Sequence, residues 1–180
     1  MENYTIKNFE KQFAECYTEL SSLGYTRELT SKKYQLHFID TLNTLGRCKN
    51  CGSNRYTIYL NKAFADIEKE QNIKNTIMHE LIHSLDGCMR HTGRWREIAD
   101  IVNTRLGYNI NRTSYHEEYD KYYTAKKSNS AKYEIKCTKC GCSTKYQRNT
   151  KTVQRIIAHE GRYSCGRCHT INSFVVTELT

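Results

Sequence analysis

The chain has 180 residues, enough for one ordinary domain or a domain plus a small module. Its 38% hydrophobic content and mean hydropathy of −0.78 are polar for a globular protein, but 14 tyrosines supply apolar area and exclude a disordered composition. No apolar run is long enough to span a bilayer, and the net charge of +9 is unevenly placed: residues 1–120 carry 16 Lys+Arg against 16 Asp+Glu, residues 121–180 carry 12 against 3.

The start, MENYTIKNFEKQF, lacks the basic-then-apolar order of a secretory signal, so a cytoplasmic, reducing location is expected. There, the nine cysteines read as metal ligands or free thiols before disulfides. Phe9, Phe13, Cys16, Tyr17 and Leu20 have the spacing of an amphipathic helix that ends near Gly24. Residues 34–39 read as a strand with Tyr34, Leu36 and Phe38 on one face, and residues 55–60 as a second strand. LGRCKNCGSN, between them, is turn-like. Its Cys48 and Cys51 do not complete a metal site without Cys16, Cys88 or a histidine, and two ordinary cysteines in a turn is the preferred reading.

Residues 73–86 form the next predicted helix, with Ile77, Met78, Leu81, Ile82 and Leu85 on an arc of about 140°. Bordering that arc is His79-Glu80-Leu81-Ile82-His83. Residues 79 and 83 lie one turn apart, roughly 6 Å along the axis, so their imidazoles can share one zinc ion while Glu80 projects aside toward water. A catalytic zinc takes three protein ligands and keeps one position open. His91 is the obvious third; Glu97 and Asp100, on a following helix, are alternatives. The longer metzincin motif is excluded, since its Gly and His positions hold Asp86 and Met89. With such a zinc, Glu80 would take the proton of a water that attacks a peptide carbonyl, then pass it to the leaving amine. Trp95, Ile98, Ala99, Val102 and Leu106 predict the following helix, stopped by Gly107.

Residues 108–132 are polar and tyrosine-dotted, and AKKSNSAK (125–132) reads as a linker, dividing the chain into domains 1–125 and 126–180. Beyond it, Cys137-x2-Cys140 and Cys165-x2-Cys168 are separated by 24 residues, the pattern of a four-thiolate structural zinc. Cys142 reads as a spare thiol, and four cysteines leave no place for His159 or His169. The metal supplies stability that so few residues cannot obtain from a core. Lys136, Lys139, Lys145, Arg148, Lys151, Arg155, Arg162 and Arg167 are interleaved with Tyr133, Tyr146, Tyr163 and Phe174. Cations for phosphates plus aromatics for bases is the composition of a nucleic-acid binder, with single-stranded DNA favoured.

The order of these parts resembles the SprT-like family, which includes bacterial SprT proteins and the catalytic region of Spartan proteases. LGRCKNCGSNRYTIYLNKAF resembles the family's Gly-Arg turn and the strand ending in Leu60-Asn61. HELIH matches its HExxH. His91 with Trp95 resembles its His-Gly-x-x-aromatic element, with Thr92 where Gly is usual and Gly93 one place later. KCTKCG and YSCGRCHT resemble its C-terminal zinc ribbon. The resemblance implies an α+β fold: a minimal zincin-like domain of helices packed on a small β-sheet, then a small β zinc ribbon. It implies zinc-dependent proteolysis, which in Spartan-like members acts on proteins crosslinked to DNA, with one catalytic and one structural zinc. A non-catalytic DNA-binding adaptor and a zinc-dependent nuclease or other hydrolase are the competing readings.

Overall fold

The computed structural model describes residues 3–113, 116–129 and 131–179, and the chain divides into two compact units, Met1–Asp120 and Lys121–Thr180. The architecture is α+β in both. No helix among the described residues is long and apolar enough to cross a membrane.

The first unit opens with α1 (Ile6–Leu20), started by a reciprocal cap in which Asn8 N–H donates to the Thr5 hydroxyl (3.3 Å) and Thr5 N–H to Asn8 Oδ1 (2.9 Å). Phe9, Cys16 and Leu20 are fully buried, the stripe read from their spacing. A wide turn over Ser21–Tyr25, with Gly24 at φ +101°, leads into α2 (Thr26–Thr30). Three strands follow: β1 (Lys33–Ile39), β2 (Gly46–Asn50) and β3 (Arg55–Asn61). The sheet order is β1-β3-β2, with β3 parallel to β1 and antiparallel to β2.

The turn expected over LGRCKNCGSN is therefore half wrong. Residues 46–50 are an edge strand, and only the tight connection after it, with Gly52, Ser53 and Asn54 all at positive φ, is a turn. Gly, Arg, Cys, Lys and Asn carry little strand propensity; pairing with the buried β3 imposes the conformation.

Asn61 caps α3 (Lys62–Ile67), accepting Phe64 N–H at 3.0 Å. Its amide also donates to the Thr41 and Thr44 carbonyls and to the Tyr119 hydroxyl (3.1 Å), so one buried side chain joins a loop, a helix start and a distant tyrosine. α4 (Glu70–His83) packs on the sheet and on α1, and α5 (Arg94–Leu106) closes at Gly107 with φ +72°. The loop between α4 and α5 is clamped from α2. Glu28 accepts Asp86 N–H (3.0 Å) and both terminal nitrogens of Arg94, which also donates to the Asp86 carbonyl (2.6 Å). Lys32, its side chain only 2% exposed, adds an ion pair to Asp86 at 3.0 Å.

The expected linker is also corrected. α6 (Glu117–Asn129) runs through residues 125–129; residues 114, 115 and 130 lie outside the described residues. Polarity suggested a linker, but the segment holds no Gly or Pro, and Glu117, Glu118 and Asp120 favour a helix N-terminus. In the second unit β4 (Tyr133–Cys137) lies between β5 (Ser143–Tyr146) and β6 (Phe174–Glu178), all antiparallel. The short α7 (Lys151–Ile157), capped by Thr150 and with Val153 fully buried, packs on β6.

Asn61→Ala removes a cap and leaves buried partners unsatisfied, so it should cost about 2–3 kcal/mol in urea unfolding. A loss below about 0.5 kcal/mol would show that water replaces those bonds. The Arg94 guanidinium beside Glu28 holds that carboxyl below its usual range, despite the opposing effect of burial. Glu28→Gln should therefore lose about 1 kcal/mol at pH 7, a modest figure because Arg94 is partly solvated. The gap to wild type should close as pH falls through the lowered folded-state value, where Glu28 is protonated in both states. A gap independent of pH would assign the effect to packing.

Candidate metal centres and the cleft beside them

α4 brings His79 and His83 to one face, and the clamped loop returns His91 to them. Their Nε2 atoms are 2.8 Å (His79–His91), 2.9 Å (His83–His91) and 3.3 Å (His79–His83) apart. The indole of Trp95, 2% exposed, stacks on His83 at 5.4 Å and meets His79 and His91 edge-on at 4.8 and 4.7 Å. His83 Nδ1 lies 2.7 Å from the Cys88 carbonyl; donating there leaves its Nε2 lone pair facing inward. His79 has a hydrogen bond to the Asn111 backbone.

Burial, then the charges of the other two imidazoles, pushes His79 down to about 3. Burial lowers His83 despite the Cys88 bond, with His91 adding to the effect. Burial and then Arg112 lower His91. Three neutral imidazoles converging on their lone pairs is an arrangement that a cation satisfies. Zinc at about 2.0–2.1 Å from each nitrogen in tetrahedral geometry would set them about 3.3 Å apart, so the donor set fits. Glu97 and Asp100, the alternatives to His91, are exposed and lie outside this group.

Glu80 is buried between α4 and the edge strand β2. A Cβ built on Gly46 would stand 2.8 Å from Glu80 Cγ, 2.8 Å from Thr76 Cγ2 and 2.9 Å from Glu80 Oε1. Only glycine lets the strand approach so closely. Burial pushes the Glu80 carboxyl up to about 8, opposed by a hydrogen bond from the Cys48 backbone and by the Arg47 charge. Cys48 thus contributes its amide to the site, and it stands in a strand rather than a turn.

A cleft of about 260 Å³ opens beside His79 and Glu80. Asn75 and Thr76 extend its floor along α4, Leu45 and Gly46 form one wall, and residues 109–113 form the other. The first three residues of that second wall, and Tyr108 before them, are pinned in turn. Tyr108 donates to Glu19 and lies 3.6 Å from Cys16 Sγ. Asn109 N–H donates to Asn75 Oδ1 (3.2 Å), and Ile110 exchanges two bonds with the Asn103 side chain (2.7 and 3.0 Å). Asn111 is held through His79. Sequence reasoning treated this stretch only as polar, since its asparagines carry no pattern that distinguishes a wall from a loop.

In the second unit, one ligand atom from each of Cys137, Cys140, Cys165 and Cys168 lies within 4.8 Å of all the others. Cys137–Cys168 is 3.7 Å and Cys140–Cys165 3.5 Å, close to the about 3.8 Å separation set by tetrahedral Zn–S bonds of about 2.3 Å. Thr170 Oγ1 lies 3.3 Å from Cys168 Sγ, and hydrogen bonds from the Thr170 hydroxyl and backbone push that thiol down to about 6. Backbone amides of Cys168 and Arg167 lower Cys165. Cys142 is outside the group, as are His159 and His169.

The basic residues are spread over several elements of the second unit. Lys136 and Lys145 share the open face of the sheet, because Lys145 pairs with Glu134 and Lys136 with Ser143 and Val175. Tyr133, Tyr146 and Phe174 fall on the other face, with the buried Ile135 and Cys137. Lys151 and Arg155 are one turn apart on α7, Lys139 and Arg167 sit inside the two knuckles, and Arg148 and Arg162 lie in connecting loops. Tyr163 and Phe174 do line a small cavity with Arg155 and His159.

The SprT-like family matches residues 13–116. Among solved structures, the chain is similar to the metallopeptidase zymogen of Pyrococcus abyssi abylysin, at 20% identity over 57% of this chain and 98% of that one, with a TM-score of 0.35. No curated protein matches. The family match covers more than half of the chain, from within α1 to the residue before α6, and takes in the histidine group, Glu80 and both walls of the cleft: the chain belongs to the SprT-like family.

Proposed function

We propose that the protein is a zinc-dependent metalloprotease of the HExxH type that acts on proteins bound or crosslinked to DNA, with single-stranded DNA favoured. The observation that carries the protease reading is the pairing of the neutral His79/His83/His91 group with a buried carboxyl at the edge of an open cleft. A zinc ion held by the three Nε2 atoms supplies a Lewis acid that polarises a carbonyl and acidifies water, and a positive charge that favours the ionised form of Glu80. His79, His83 and His91 hold their lone pairs inward, and Trp95 and the Cys88 carbonyl keep the rings from turning. Glu80 takes the proton from the attacking water on a carboxylate oxygen and returns it to the amine nitrogen as the peptide bond breaks. Gly46 and the Cys48 amide hold that carboxylate in place. The Cys137/Cys140/Cys165/Cys168 group takes a second, structural zinc.

The DNA part rests on charge. All of the +9 net charge lies in residues 121–180, and a four-thiolate zinc, itself about −2, leaves about +7 there. Phosphate contacts come from the exposed Lys136 and Lys145 and from Lys139, Arg148, Lys151, Arg155, Arg162 and Arg167.

Wild type and Glu80→Gln should both carry about two zinc ions per chain by elemental analysis, while only wild type cleaves a protein bound to single-stranded DNA. Cleavage by the variant overturns the role of Glu80. Failure of both forms, with and without DNA, favours a binding module. A salt titration of the full chain on single-stranded DNA should lose affinity steeply, on the order of 10³-fold between about 50 and 200 mM salt. A flat response removes the nucleic-acid reading.

A further inference from the structure

We propose that Arg112 is the cation that stabilises the oxyanion formed in this cleft, an assignment that rests on the protease reading above. Among the described residues that line the cleft, Arg112 is the one permanent cation and Glu80 is the one carboxyl. The two are on different walls, Glu80 on α4 against β2 and Arg112 on the loop after α5. Arg112 therefore faces the same cleft as His79 and Glu80.

The chain leading to it is held in place. The four residues before it are tied in succession to α1, α4, α5 and His79, through Tyr108, Asn109, Ile110 and Asn111. Among the described residues the Arg112 guanidinium makes no hydrogen bond or ion pair, so its donors remain available to a bound group. Arginine stays protonated throughout the working pH range, so the charge is present before the reaction begins. The Arg112 side chain is exposed beside the cleft; a peptide bound there would shield it from water and so strengthen its attraction for developing negative charge.

The bond changes balance without an oxidant or reductant. As the water oxygen bonds to the carbonyl carbon, Glu80 takes its proton and the carbonyl π pair moves onto oxygen, facing Arg112. On collapse that pair reforms C=O, the C–N bond breaks, and nitrogen leaves with its electron pair and the proton from Glu80. Peptide plus water gives one acid and one amine.

The test uses the full zinc-loaded chain with Arg112→Ala and Arg112→Lys. Arg112→Ala should lower kcat about 100-fold with KM within about twofold, and weaken a phosphinic peptide, a stable anionic tetrahedral mimic, about 100-fold by calorimetry. Arg112→Lys should recover to within about tenfold of wild type. Zinc content and melting temperature should match wild type. In the Glu80→Gln background, where the peptide stays uncleaved, adding Arg112→Ala should change peptide affinity by less than about twofold, because the ground-state carbonyl carries no full charge. Unchanged kcat and phosphinate affinity overturn the assignment, as does a rise in KM confined to substrates with acidic side chains, which makes Arg112 a specificity contact. If wild type neither cuts peptides nor binds the phosphinate, the protease reading falls and this assignment with it.

Discussion

Three imidazole nitrogens within 3.3 Å of one another, in surroundings that keep each of them uncharged, impose a condition on the whole first unit. Protonating any one places a charge against two neighbours and away from water; leaving all three neutral sets lone pair against lone pair. The fold holds them there nonetheless. Trp95 fills the space beneath the rings, the Cys88 carbonyl fixes His83, and Glu28 and Arg94 fasten the loop that carries His91. A bound cation converts this crowding into coordination, and its binding energy then adds to the stability of the loop and the helices it joins.

The strand order has a direct chemical result. With β3 in the centre, β2 becomes an edge beside α4, and Gly46 brings its backbone within a side chain's thickness of Glu80. The carboxyl is thereby buried, hydrogen-bonded by a strand amide and displayed at a cleft. A helix motif alone could not do this. Glu80 needs the sheet to limit its rotamers.

What the sequence made legible depended on how each signal arises. α1, α4 and α5 were readable because burial repeats with the helix: Phe9, Cys16 and Leu20, or Trp95, Ile98 and Val102, mark one face. The histidine and cysteine groups were readable because metal chemistry restricts residue types as well as spacing. β2 was hidden because its residues have no strand preference of their own and are ordered by β3. α6 was hidden because a polar helix looks like a linker when no apolar stripe marks it. The wall formed by residues 109–113 was hidden because its geometry comes from partners at Glu19, Asn75 and Asn103, far apart in sequence. In the second unit a period of two sent Lys136 and Tyr133 to opposite faces, which a linear count of cations and aromatics could not register.

The two cysteine knuckles repeat one another, but not in the residue four places after the first cysteine of each. Gly141 turns the first with φ +71° and donates its N–H to the Cys137 carbonyl (3.0 Å). His169 occupies the same place in the second with φ +57°, donating to the Cys165 carbonyl (2.9 Å). Glycine adopts that conformation freely, whereas for a residue with a Cβ it costs about 1–2 kcal/mol. The second knuckle thus carries a backbone cost that the first avoids. Were a metal held by the four sulfurs and then lost, the Cys165–Cys168 turn would have backbone strain to release that the Cys137–Cys140 turn does not.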